Sequence, residues 1–299
     1  MKINPITNHF PKFNIALTIC LLVACGPSKE NKGEGSDEFS DAEKSLKEQL
    51  TDVVYNIPSP TEIPYLLAAT GAEFNSSLIN DRKKAEQYGV KAENTALNLG
   101  VYTADIGYLT SYEKTQEAID YISTCKSLAD NLGILGSFDM EVMKKFEANV
   151  SNKDSLAALL NQTMQKADKY LKDDSRNKFA ALIVTGSFIE GLYISTGLVK
   201  TYPKDLLPAD KRNLILTPLM RIILDQKKSV GELLTILKAG DQAEPVAGLV
   251  KDLSALQASY NALNIEEQIR NNRSDLILTD KNLTEITTIV EGIRKSITQ

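Results

Sequence analysis

Apolar residues recur along this chain at three- and four-residue spacing, the period of an amphipathic helix. No window longer than four residues alternates cleanly with β-branched enrichment, so a sheet is not expected. Helices are predicted over about 41–55, 60–70, 76–88, 91–112, 115–131, 138–149, 153–172, 175–199, 209–238, 243–263 and 280–297. Ser40-Asp41-Ala42-Glu43 and Ser59-Pro60-Thr61-Glu62 have capping-box spacing, and Pro60 falls at N1, where its missing N–H costs nothing. Gly71 is placed to end the second helix as a left-handed C′ residue. Pro218 is expected to kink or split 209–238. The pattern predicts an all-α protein of about ten helices packed as antiparallel hairpins, either tetratricopeptide-like or an irregular bundle.

Two predicted helices lack a polar face. From Thr95 to Tyr112 the only charge is Asp105, and from Phe179 to Val199 the only charge is Glu190. A helix apolar all round is buried in a protein core or in a bilayer. Glu190, three glycines (Gly186, Gly191, Gly197) and several hydroxyl residues bring the insertion free energy of the second run to zero or above, which favours the core. The two helices also look related. Leu78-Ile79-Asn80 and Lys84 to Tyr88 precede the first, as Leu159-Leu160-Asn161 and Lys166 to Tyr170 precede the second. Gly100 and Gly186 then hold matching places, with an acid shortly after each. An internal duplication of a helical hairpin is expected on this basis, although the absence of Trp and the small-residue spacing depart from the tetratricopeptide consensus.

The start of the chain carries a different signal. Lys2 and Lys12 precede an apolar stretch, Phe13 to Ala24, broken only by Asn14 and Thr18 and too short to span a bilayer. It ends in Leu22-Val23-Ala24-Cys25-Gly26, which resembles a bacterial lipobox, with cleavage after Ala24 and a diacylglyceryl thioether on Cys25. More than one acyl chain is needed for stable anchoring, and a lipid-modified cysteine supplies it. Gly26 to Ser40 is polar and reads as a flexible tether with a root-mean-square reach of about 20 Å. The expected organisation is therefore a signal over 1–24, a tether over 25–40 and one helical domain over 41–299, with sub-lobes 41–200 and 205–299. Gly26 stands where inner-membrane retention is associated with Asp, so the outer membrane is expected, on its periplasmic or its surface face.

Tyr55-Asn56-Ile57-Pro58-Ser59-Pro60-Thr61-Glu62-Ile63, together with the run from Ala96 to Tyr108, resembles a family of uncharacterised all-helical bacterial lipoproteins. The likeness continues through Ile189-Glu190-Gly191-Leu192-Tyr193. The resemblance implies a fold and a compartment. It carries over no activity and no functional residue.

Composition narrows the chemistry. Hydrophobic residues make up 42% and charged residues 24%, which suits a globular chain and neither a disordered nor a polytopic membrane protein. The net charge of −5 gives no electrostatic case for nucleic acid. The chain has no Trp, and its one histidine, His9, lies in the segment expected to be cleaved. Histidine-dependent triads and histidine-ligated metal sites are thereby excluded, and stacked sugar binding is disfavoured. Cys125 reads as a buried, inert thiol without a base to activate it. No catalytic residue, metal or cofactor is assigned.

The remaining candidates form a buried polar site of Asp105 and Glu190 with Tyr102, Tyr108 and Tyr193. Lone carboxylates on apolar helices must be paired or hydrogen-bonded. If the two acids meet, shared burial raises at least one pKa and creates an acid/base pair or an oxygen-ligand cation site. Otherwise tyrosine hydroxyls (Tyr112 among them), a lysine or an arginine hold each acid separately. The favoured function is a lipid-tethered envelope protein that binds a protein or peptide partner. The alternatives are a small-molecule or lipid binder with a cavity between the two buried helices, and an enzyme working through Asp105, Glu190 and tyrosines.

Overall fold

The computed structural model describes residues 62–134, 177–263, 270–271 and 281–299. The signal, Cys25, the tether and the helices predicted over 41–55, 138–149 and 153–172 lie outside the described residues, as does the segment 159–170 on which half of the duplication rests. Every described element is helical. Eight helices have seven or more residues: α1 Glu62–Ala68, α2 Ala92–Ser111, α3 Thr115–Asn131, α4 Asn177–Thr201, α5 Ala209–Leu224, α6 Lys227–Ala239, α7 Val246–Ala262 and α8 Lys281–Ile297.

Helix α2 has no polar face because it is enclosed. Its one side packs on α3, where Leu99, Tyr102, Ile106 and Leu109 meet Ala118, Tyr121, Cys125 and Leu128. Its other side packs on α4 through Leu97, Val101 and Tyr108. Helix α4 is in turn covered by α1, α5 and α8. It is the one described helix long and apolar enough to cross a membrane, and 67% of its most apolar window is buried inside the protein. These two helices form the centre of the domain, and α5 to α8 extend the same core.

The α2–α4 pair runs parallel. Lys178 Nζ lies 3.0 Å from Glu93 Oε1 at one end, and Asp105 touches Glu190 at the other. Between these points the helices meet backbone to backbone. A Cβ on Gly100 would overlap the Ile183 carbonyl oxygen, and a Cβ on Gly186 would overlap that of Leu97. Each glycine therefore faces the carbonyl three residues before the other, and the crossing is reciprocal. Glycine costs about 1 kcal/mol in a helix interior. Here that cost is offset by packing that any side chain would prevent.

Two predictions are corrected. Residues 76–88 do not form one helix, because Asn75 and Asp81 each cap their own short 3-10 turn. Asn75 Oδ1 accepts from the Ser77 N–H and Asp81 Oδ1 from the Lys83 N–H, both at 3.0 Å. The backbone at Ile79 is extended, and only Ala85–Tyr88 completes an α-turn. Side chains that hydrogen-bond their own backbone compete with the helix. The second correction concerns the split expected at Pro218, which lies inside the continuous helix α5. Its ring and the Leu214 position four residues earlier are both exposed, so the missing N–H is on the solvent side. The break falls at Asp225–Gln226 instead. There the Gln226 amide takes the Ile222 carbonyl at 2.9 Å and the Tyr260 hydroxyl takes that of Ile223 at 2.9 Å, ending the helical ladder.

Candidate functional site

Asp105 and Glu190 are brought together. Both are wholly buried, and their carboxyl groups are in hydrogen-bonding contact across the α2–α4 interface. Two carboxylates cannot hydrogen-bond without a proton, and neighbouring residues decide which acid holds it. Arg294, from α8, donates through Nε and Nη2 to both Glu190 oxygens, with distances of 3.0–3.3 Å. A forked guanidinium contact of this kind favours the ionised acid. Asp105 receives one backbone N–H, from Asn80 to Oδ2 at 3.1 Å. Its Oδ1 accepts a hydrogen bond from none of the described residues.

The physical reading is a carboxylic acid donating to a carboxylate. Burial drives the Asp105 pKa well above the usual carboxylate range, and the Glu190 charge adds to the effect. Burial also pushes Glu190 upward, but the hydrogen bonds and charge of Arg294 oppose it. Glu190 is thus the ionised member, and Asp105 holds the proton on the oxygen that otherwise has no partner. The three groups together are then electrically neutral. Arg294 stacks over the Tyr193 ring at 4.6 Å and remains 16% exposed, so the cluster lies just beneath the surface.

The tyrosines do a different job from the one expected. None of Tyr102, Tyr108, Tyr112 or Tyr193 is hydrogen-bonded to Asp105 or Glu190 in the hydrogen bonds described. Instead, hydroxyls tie down the backbone of residues 75–81, the segment that covers Asp105. Tyr108 accepts from the Asn75 N–H at 2.9 Å and donates to its carbonyl at 3.3 Å. Tyr102 donates to the Asp81 carbonyl at 3.0 Å and Tyr121 to the Asn80 carbonyl at 2.9 Å. Tyr88 accepts from the Asn80 amide at 3.2 Å and donates to the Thr298 carbonyl at 2.9 Å. The rings of Tyr88, Tyr102 and Tyr121 pack on one another at 5.7–6.3 Å between centroids. Burial raises the pKa of each of these phenols.

Asn80, Tyr88, Tyr121 and Arg294 were not anticipated. Arg294 follows Ile293 at the edge of the stripe that buries Leu283, Ile286, Val290 and Ile297, where an arginine reads as an ordinary solvated neighbour. Cys125 is 4% exposed and forms no disulfide among the described residues, and burial pushes its thiol up to about 12, which suits an inert core residue. No group of three His, Cys, Asp or Glu side chains converges among the described residues. The positive charge beside Glu190 is the Arg294 guanidinium.

Comparison of the chain with protein-family models, with curated proteins and with solved structures finds no match to any of them.

Proposed function

We propose that this chain is a lipid-anchored protein of the bacterial outer membrane whose helical body holds a protein or peptide partner. The observation that carries the anchor is the sequence Leu22-Val23-Ala24-Cys25-Gly26 after a short apolar run, followed by a polar tether. Two features support holding over reacting. The acid pair is sealed and charge-neutral, with Glu190 already engaged by Arg294. The middle of the α2–α4 interface, where a ligand cavity was the alternative, is filled by backbone at Gly100 and Gly186. Tyr65 and Leu66, 51% and 43% exposed and adjacent on α1, offer the amphipathic and apolar surface that partner contacts use.

We read α2 and α4 as copies of one ancestral hairpin helix, supported by the reciprocal glycine crossing and by the acid that follows each glycine. About ten helices in the whole chain, stacked as hairpins, remain the architecture proposed. The test of the anchor is detergent-phase partition of the full chain expressed in a bacterial host, with mass analysis of Cys25. The native chain is expected in the detergent phase with acyl groups on Cys25, and Cys25→Ser in the aqueous phase. Equal partition of the two would overturn the reading. Crosslinking in cells then tests the partner: a defined envelope protein recovered with the native chain and lost with Tyr65→Ser/Leu66→Ser is the expected outcome.

A further inference from the structure

Residues 75–81 cover the acid pair with little packing of their own. Only Leu78 and Asn80 are buried in that stretch, which contains no α-turn. By contrast, α8, the other cover, buries Leu283, Ile286, Val290, Ile293 and Ile297. Local opening follows the least-packed route, so the segment 75–81 yields before α8. Its hold consists of the tyrosine ties already described and one hydrogen bond from the Asn80 N–H to Asp105.

We propose that residues 75–81 form a proton-linked strap over the Asp105–Glu190 pair: the strap closes on one bound proton, and its opening releases that proton to solvent. The argument is one of linkage. Closed, the strap keeps Asp105 out of water beside an ionised Glu190, and the Oδ1 oxygen requires a proton. Open, Asp105 meets water and reverts to an ordinary carboxyl. An opening that releases one proton becomes tenfold more favourable for each pH unit, between the open-state and closed-state pKa values. Acid therefore fastens the strap and base loosens it.

The groups facing Asp105 do not supply this response themselves. They are Glu190 and Tyr193 on α4, Arg294 on α8, Tyr88 in the single turn, Tyr121 and Cys125 on α3, and Tyr102 on its own helix. Burial keeps the phenols and the thiol protonated across the neutral range, and Arg294 is held charged by Glu190. Asp81 is the strap's exposed charge, and just beyond it Lys84 Nζ donates to the Thr298 carbonyl at 3.1 Å. The group that changes charge on opening is Asp105.

Native-state hydrogen exchange of the full chain tests this, read at the amides of residues 77–80 and corrected for the intrinsic pH dependence of exchange. Above about pH 5 the opening equilibrium of the native protein should rise tenfold for each pH unit until the closed-state pKa is reached, the slope of one proton. In Asp105→Asn it should be flat. A flat native profile, or equal slopes in both proteins, overturns the proposal. Tyr121→Phe, which removes the tie to the Asn80 carbonyl, keeps the test decisive should Asp105→Asn fail to fold. It should raise opening about fivefold at every pH, the worth of one hydrogen bond, and keep the slope. No change in opening, or a rise spread equally over α8, would count against a local strap.

Discussion

Asp105 and Glu190 share a single proton across the α2–α4 interface, and Arg294 decides which of them holds it. Asn is the natural replacement for a protonated Asp. In Asp105→Asn the carbonyl can still accept from Asn80 and the amide can donate to Glu190, leaving one N–H over. Because the Asp105 pKa is raised in the folded state, the native stability it supports is complete below the unfolded value of about 4 and declines as pH rises toward the folded pKa. Urea unfolding over a pH series should show Asp105→Asn less stable than the native protein by about 1 kcal/mol near pH 5. The gap should shrink and then reverse as the pH is raised above that point. A constant gap at all pH values would show that Asp105 is ionised in the fold.

Arg294→Met tests the other half of the site. Removing one partner of a buried ion pair costs about 3–5 kcal/mol. The loss should be smaller near pH 4, where Glu190 can take up a proton once its counter-ion is gone. Restoring neutrality with Glu190→Gln/Arg294→Met should recover part of the stability at pH 7. Equal losses for Arg294→Met at both pH values would separate the arginine from the charge on Glu190.

The glycines of α4 should respond in opposite directions. Gly186→Ala drives a methyl into the Leu97 carbonyl of α2, and a backbone atom cannot move aside as a side chain can. A loss of about 1–3 kcal/mol or more is expected. Gly191 has open space at its Cβ position, so Gly191→Ala should gain about 0.5–1 kcal/mol from helix propensity alone. Thermal or urea unfolding of the two variants checks both signs.

Helix ends offer a further comparison. Helices α1, α2 and α3 close with the same pair of hydrogen bonds, from Gly71, Glu113 and Gly133 and from the residue after each. All three central residues are left-handed, with φ of 86°, 57° and 69°, yet one of them is a glutamate. Glu113→Gly should stabilise the protein by about 1 kcal/mol, since a left-handed conformation costs a residue with a Cβ about that much. A destabilised variant would mean that the Glu113 side chain contributes more than its strain.

Much of the architecture was readable in the spacing of apolar residues. The bounds of α3 and the enclosure of α2 and α4 follow from patterns that tertiary contacts reinforce. The 76–88 stretch was misjudged because periodicity cannot see Asn75 and Asp81 turning their side chains back on their own backbone. At the site, the rarity of charge on two apolar helices singled out Asp105 and Glu190. Their partners were hidden for a physical reason: Asn80 contributes a backbone N–H, which leaves no mark in a sequence. Arg294 comes from a helix distant in the chain, where one arginine beside an apolar stripe looks like an ordinary helix edge. The tyrosines were expected beside the acids, but the hydroxyls of Tyr102, Tyr108 and Tyr121 secure the chain above them and leave the acids to each other.

The shared proton itself is open to direct observation by ¹³C NMR of side-chain carboxyl carbons, with Asp105→Asn and Glu190→Gln assigning the two resonances. The account predicts that the Asp105 carboxyl stays protonated well above the pH at which exposed carboxyls titrate, while Glu190 is ionised. Both resonances titrating with the exposed acids would contradict it.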